Sequence, residues 1–222
     1  MKKIQIILLA TLSLFLMFYC PAEAHQPNFI DKAKEITVIN PEISQAFYGF
    51  LDGQPVNFSI DSASDFQLYI QLLTPDVGNP QNNLFASITN ENGIEIKKLD
   101  GLNNYTWTHW YEEFGGDWYW MGPEFKKELP AGQYTISVFN PGNKGEYVFV
   151  VGEKESFPLI QMPKMFSELY KIKTVFFQKP WYSVFQNKLG AFLGIGILII
   201  IIVIYGIVFL IKFIKNKKIN AK

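Results

Sequence analysis

Residues 189–211 read LGAFLGIGILIIIIVIYGIVFLI, with no charge, no proline and no strongly polar side chain. A helix over this run would be about 34 Å long, enough to cross a hydrocarbon core of about 30 Å. A core helix of a water-soluble fold carries a polar stripe, and this run has none. It predicts one transmembrane helix over 189–211. A second apolar run, from Ile4 to Tyr19, follows the positive start Met1-Lys2-Lys3 and is too short to span comfortably. Pro21-Ala22-Glu23-Ala24 then puts small residues at both ends of an A-x-A site. Together these features predict a signal peptide over 1–24. The rival, lipid attachment at Cys20, needs small residues before the cysteine, where Phe18 and Tyr19 are bulky.

Orientation follows from both ends. The signal exports the N-terminus, and the tail over 212–222 is basic with no acid, which keeps it in the cytoplasm. The outer flank also carries Lys171, Lys173, Lys179 and Lys188, so the signal, more than charge, sets the topology. The expected product is a single-pass type I protein of the cell membrane, N-terminal domain outside. Between the ends lie a domain over 25–155 and a juxtamembrane amphipathic segment over 156–188. The domain holds about 130 residues, enough for one core. Gly190 and Gly194 have the spacing of a helix-packing motif, which is compatible with a homodimer through the span, but isolated glycines are common in such helices and are the favoured reading.

The domain reads as strands and turns. Phe66, Leu68, Ile70 and Leu72 alternate with Gln67, Tyr69 and Gln71, the period of a half-buried strand. Further strands are expected over 36–39, 46–51, 56–60, 84–89 and 94–99, punctuated by Asp52-Gly53, Asn92-Gly93 and Pro130-Ala131-Gly132. Residues 133–139 alternate again, 140–145 form a turn cluster, and Tyr147, Phe149 and Val151 follow, which predicts a hairpin with a longer loop. No long segment of helical period interrupts this region. The fold class expected is all-β, a jelly-roll or immunoglobulin-like β-sandwich.

Two segments carry a resemblance. Leu129-Pro130-Ala131-Gly132-Gln133-Tyr134-Thr135-Ile136-Ser137-Val138 and Gly145-Glu146-Tyr147-Val148-Phe149-Val150-Val151 resemble the closing hairpin of bacterial pre-peptidase C-terminal domains. Those are jelly-roll sandwiches appended to secreted enzymes and surface proteins. The resemblance covers about 25 residues. It implies a non-catalytic binding or structural sandwich and brings no ligand residue with it.

Several function classes are excluded by composition. The formal net charge is +0, the domain is mildly acidic and every basic residue is lysine, so nothing favours nucleic acid. Cys20 is the only cysteine. A chain cleaved after Ala24 would have no disulfide, no thiolate nucleophile and no cysteine zinc site. No glycine-rich phosphate loop and no nucleophilic triad motif is present, so no enzymatic activity is expected.

Two features point to binding. Trp107, Trp110, Trp118 and Trp120 fall close together around Gly115-Gly116-Asp117, with Trp118 and Trp120 on one face of a strand. Exposed, such rings stack on sugars or anchor protein partners; buried, they fill the core. His25 would begin the mature chain, where a free amino group and its own imidazole can chelate copper. Exported copper proteins of β-sandwich fold resemble this pattern but add further histidines, and here only His109 remains. Glu112, Glu113, Asp117 and Glu124 flank the same turn; they suit calcium, or are solvated loop charge. Asn57-Phe58-Ser59 and Asn104-Tyr105-Thr106 fit a glycosylation sequon, to which a bacterial-looking chain gives little weight.

After Pro163, the residues Met165, Phe166, Leu169, Tyr170, Lys173, Phe176 and Phe177 recur at helical spacing. This predicts a short amphipathic helix at the outer membrane–water interface, with packing on the β-domain as the alternative. The leading functional expectation is a membrane-tethered extracytoplasmic binding or scaffolding module for a protein or glycan partner. The alternative is an extracytoplasmic copper protein using His25.

Overall fold

The computed structural model describes residues 25–219 apart from 33, 104 and 157. The expected signal peptide, its expected cleavage site and Cys20 lie outside the described residues. The chain forms two compact units, one ending at Val184 and one beginning its C-terminal part at Phe185.

The first unit holds eleven described strands: β1 (Gln26–Ile30), β2 (Glu35–Thr37), β3 (Gln45–Asp52), β4 (Val56–Ser62), β5 (Phe66–Pro75), β6 (Phe85–Asn90), β7 (Glu95–Asp100), β8 (Thr108–Glu112), β9 (Asp117–Leu129), β10 (Gly132–Phe139) and β11 (Lys144–Val151). They form a six-stranded sheet in the order β1-β3-β11-β5-β9-β8 and a five-stranded sheet in the order β2-β4-β10-β6-β7. The expected β-sandwich is therefore present. Its winding, with β3-β11-β5-β9 set against β4-β10-β6-β7, is that of a jelly roll. β1 and β2 pair in parallel with β3 and β4 at the sheet edges. β1 escapes sequence reading because Pro27 interrupts it, and an edge is where a strand tolerates proline.

The interior follows from alternation. Phe66, Leu68, Ile70 and Leu72 of β5 meet Phe58 and Ile60 of β4 and Ile136 and Val138 of β10 in one buried cluster. At its centre, the rings of Phe58 and Phe149 lie 4.4 Å apart, tilted by 42°. Tyr147 lies over Gly49, directly across the ladder, where a Cβ would sit 2.6 Å from the Tyr147 hydroxyl. That strand position accepts only glycine without a shift of the ring.

The expected hairpin between β10 and β11 is absent. β10 pairs with β4 and β6, whereas β11 pairs with β3 and β5 in the other sheet. The turn is an arch that carries the chain across the core. Asn140 builds it: its amide donates to the Lys144 carbonyl at 2.7 Å, and its Oδ1 accepts from Gly142 and Lys144 amides at 3.1 and 3.2 Å. Alternation fixes which side chains face inward, and a hairpin and an arch share that alternation.

Strand β11 shows why a third layer exists. Residues Tyr147–Val151 are all buried, not alternately so. Tyr147, Phe149 and Val151 face the second sheet, and Val148 and Val150 face the other way. The outer side of the six-stranded sheet therefore needs a cover. The amphipathic segment after the sandwich supplies it: helix α1 (Met162–Lys171), with a proline in its first turn, runs into a wider turn over Ile172–Phe176. Ile172, Phe176 and Phe177 are buried against Ala46, Leu73, Tyr119, Val148 and Val150. The apolar face expected at the membrane interface is spent on the sheet. Periodicity reveals that a helix has an apolar face but not which surface receives it.

A buried ion cluster pins this layer. The Lys173 ammonium is 1% exposed; it lies 2.5 Å from Asp117 Oδ2 and also donates to the Gly115 carbonyl. Lys179, at 39% exposure, reaches the other Asp117 oxygen at 2.7 Å. Burial pushes the Lys173 ammonium below its usual range, with Asp117 opposing that shift. At the layer's other end, Glu168 accepts a hydrogen bond from the Phe29 amide on edge strand β1 at 2.9 Å.

In the second unit, α2 (Lys188–Ile219) is a helix of 32 residues. Its side chains are described without a break only from Gly194 to Phe209. Among the described residues, no helix is long and apolar enough to cross a membrane.

The ion cluster yields an unequal expectation. Asp117→Ala leaves the Lys173 charge buried without its carboxylate and should cost about 3–5 kcal/mol of stability. Lys179→Ala removes a partly exposed partner and should cost about 1 kcal/mol or less. Urea denaturation of the full chain, followed by tryptophan fluorescence, measures both; equal losses would mean that the buried contact does not hold the layer.

Candidate functional site

The turn between β8 and β9 is built by Glu112. Its carboxylate accepts from the amides of Phe114 and Gly115 at 2.7 and 2.6 Å, while its carbonyl accepts from Gly116 at 2.8 Å. Gly116 takes φ +74°, the left-handed conformation such a turn favours glycine for. Burial pushes the Glu112 carboxyl above its usual range.

The hairpin's register then decides the fate of each ring. Thr108, His109, Trp110, Tyr111 and Glu112 lie opposite Met121, Trp120, Tyr119, Trp118 and Asp117. Trp110 and Tyr119 share the side covered by the helical layer, with ring centres 6.1 Å apart. His109, Tyr111, Trp118 and Trp120 share the opposite side.

The four tryptophans separate accordingly. Trp107 is in the sandwich core, 9% exposed, with its indole N–H donating to the Gly101 carbonyl at 2.7 Å. Gly101 and Gly122 make room for that ring, since a Cβ at either would come within 2.7 Å of it. Trp110 is half-buried beside the layer. Trp120 is half-buried at the rim of the core. Trp118 is 48% exposed, and Tyr111 beside it is 39% exposed.

Trp118 is the centre of an open patch. The His109 imidazole stacks on it at 4.5 Å and 10°, and the Tyr111 ring lies 4.9 Å away at 48°. His109 also contacts Trp120, at 4.7 Å. Asp76 ties the rings together: its Oδ2 is 2.8 Å from His109 Nε2, and its Oδ1 accepts from the Trp120 indole at 3.3 Å. The Asp76 amide donates to the Trp118 carbonyl at 2.9 Å, which fixes the carboxylate at the end of β5. Thr74, directly opposite Trp120, has a buried hydroxyl without a partner among the described residues. The patch thus combines two exposed ring surfaces with a half-exposed carboxylate–imidazole pair.

Sequence reasoning missed Asp76, 33 residues before His109. The only signal was its position, just after Thr74-Pro75 at the end of an alternating strand.

The candidate metal residues are not brought together. His25 precedes β1 at one edge of the six-stranded sheet, and His109 lies on β8 at the other. Five inter-strand spacings separate those edges, about 24 Å. Any site at His25 would stand without His109. The His25 imidazole instead hydrogen-bonds the Ser44 hydroxyl, and burial lowers its pKa to about 4. Of the acids considered for calcium, Glu112 caps its turn, Asp117 holds two lysines and Glu124 accepts from the Tyr69 hydroxyl at 2.8 Å. Among the described residues, no group of three or more His, Cys, Asp or Glu side chains is placed to hold a metal ion.

No protein-family model and no curated protein sequence matches the chain. Among solved structures, it is similar to the pre-peptidase C-terminal domain of a collagenase from Bacillus anthracis, with 13% identity and a TM-score of 0.33 over 55% of this chain and 95% of that one. It is also similar to a family 35 carbohydrate-binding module from Cellvibrio japonicus, with 16% identity and a TM-score of 0.28 over 48% of this chain and 74% of that one. A further family 35 module, from an environmental isolate, gives 18% identity and a TM-score of 0.29 over 60% of this chain and 90% of that one. At these values the fold rests on the strand order, and the neighbours add nothing about a ligand.

Two expectations follow. Trp107→Ala should cost about 3–5 kcal/mol by opening the core, while Trp118→Ala should change stability by no more than about 1 kcal/mol; comparable losses in denaturation would place Trp118 in the core as well. Because the folded His25 pKa lies below the unfolded value of about 6.5, its contribution is complete above pH 6.5 and fades as pH falls toward 4. Denaturation at pH 7.5 and 4.5 should show His25→Gln losing about 2 kcal/mol less than the native chain; an identical pH slope would contradict the burial of a neutral imidazole.

Proposed function

We propose that the chain is a membrane-tethered extracytoplasmic binding module that holds the ring face of a glycan on the Trp118 patch. One observation carries the reading: Trp118 is 48% exposed beside a carboxylate–imidazole pair, although three other tryptophans nearby are buried or half-buried. Exposing an indole gives up burial worth about 2–3 kcal/mol, so the position is explained by something that covers it. A sugar ring offers C–H bonds to Trp118 and Tyr111 and hydroxyls to Asp76 and His109. The chemistry needed is recognition, and the module is non-catalytic in this reading.

The tether rests on sequence. Residues 189–211 are apolar throughout, and a basic stretch follows them. With the leader-like start, this supports a single-pass type I arrangement at the cell membrane, the sandwich outside.

The test is a glycan array of neutral and acidic oligosaccharides, probed with the full chain in detergent and followed by titration of the strongest ligand. Trp118→Ala should weaken that ligand about thirtyfold, the loss of one anchor worth about 2 kcal/mol. Binding that survives Trp118→Ala and Asp76→Ala unchanged, or no binding to any arrayed glycan, would sink the reading.

A further inference from the structure

Four ionisable side chains, Glu112, Asp117, Lys173 and Lys179, are gathered where the helical layer meets the β8–β9 hairpin. Glu112 and Asp117 are direct partners across the ladder. Strand geometry thus sets two carboxyls side by side, which like charge disfavours. The chain after α1 meets them with two ammonium groups. Its backbone holds both lysines together, because the Lys179 amide donates to the Lys173 carbonyl at 2.8 Å.

The central pair is set for more than attraction. Lys173 Nζ lies 2.5 Å from Asp117 Oδ2, and the two side chains are 1% and 2% exposed. Burial favours the neutral amine of Lys173, the form that attacks a carboxyl, with Asp117 opposing that shift. In water both groups ionise, and their ionisation is what makes an amine and a carboxylic acid resist condensation. Here burial makes both charges costly, and a neutral amide would remove that cost. Fixed contact also replaces a chance encounter. Lys179 reaches Asp117 Oδ1 at 2.7 Å, where it stabilises negative charge that builds on that oxygen during attack. Glu112 Oε2 and Asp117 Oδ2 both come within 3.6 Å of the point a Cβ on Gly115 would occupy. Each Glu112 oxygen accepts one backbone amide and keeps a second lone pair for a proton.

We infer that Lys173 and Asp117 become joined by an intramolecular amide bond, with Glu112 carrying protons between them. Lys173 Nζ attacks Asp117 Cγ; the C–N bond forms and the Cγ–Oδ2 bond breaks. Of the three ammonium protons, two leave with Oδ2 as water. The third stays on the amide nitrogen and keeps the hydrogen bond to the Gly115 carbonyl. No oxidant, activated ester or cofactor enters the balance. The bond ties the helical layer to β9 across 56 residues of chain. The only cysteine is Cys20, so no disulfide can do this within the sandwich. The bond depends on neither the glycan patch nor the membrane tether.

The test is mass spectrometry of the full chain, purified in detergent and showing a cooperative urea transition. The native chain should be lighter by one water than the sequence it carries. A trypsin digest should contain the peptide bearing Asp117 joined to the one bearing Lys173, with no cut after Lys173. Lys173→Arg keeps a cation beside Asp117 and should show no joined peptide. Glu112→Gln should lower the joined fraction about tenfold or more. Recovery of both peptides free from the native chain would overturn the bond. Loss of water without a joined peptide would overturn it too, since an Asp-Gly step at Asp52 or Asp100 loses water by cyclising on itself. Complete joining in Glu112→Gln would overturn the proton path through Glu112.

Discussion

The six-stranded sheet has two buried sides, and the rest of the molecule is arranged around that requirement. Its central strand β11 offers large apolar residues in both directions, with Phe149 and Val151 toward the second sheet and Val148 and Val150 away from it. A sandwich of two sheets satisfies only one direction. The second sheet shows the ordinary case, with Ser59, Thr135 and Ser137 half-buried on its outer side. The first sheet instead needs a third layer, and Ile172, Phe176 and Phe177 provide it. Burying each such side chain contributes about 1.5–3 kcal/mol before ordering costs. Apolar contact alone would let a short helix slide. The Lys173–Asp117 contact is directional and shut away from water, so it specifies one seating of the layer.

That contact makes the β8–β9 hairpin the junction between stability and display. Asp117 begins β9 and holds the layer; Tyr119, two residues on, packs beneath it. Between them Trp118 points the other way by the parity of a strand. The layer thus immobilises the backbone from which Trp118 and Tyr111 project. A binding ring gains from such support, because a rigid platform loses little freedom when a ligand arrives. The Asp76 bonds to His109 and Trp120 add the same restraint from β5, the next strand inward.

Much of the fold was legible in the sequence because alternation is a local property. Phe66 to Leu72 and Gln133 to Phe139 announced strands, and the structure places them there. Pairing is not local. Tyr134 and Tyr147 both turn inward, yet they belong to different sheets, and no period distinguishes that from a hairpin. The helical layer was half legible: spacing revealed its apolar face, while the receptor for that face lay in Val148 and Val150, on the side of β11 opposite the alternating Tyr147, Phe149 and Val151. Of the site, parity gave the shared side of Trp118 and Trp120. It could not give Asp76, which meets them only because β5 and β9 are neighbours.

The patch opens where the two sheets cease to match. Six strands face five, and β8 is the outermost strand of the larger sheet. Side chains on the inner side of β5 meet the second sheet and are sealed; those on β8 have less above them. Trp120 on β9 packs against the core rim, and Tyr111 on β8 is open. An edge strand with exposed rings would ordinarily invite pairing with another chain. Here β8 is five residues long, and the Glu112 turn closes its end. The short edge limits strand addition while leaving the ring surfaces free, so the geometry favours a ligand that lies flat across side chains over one that adds a strand to the backbone.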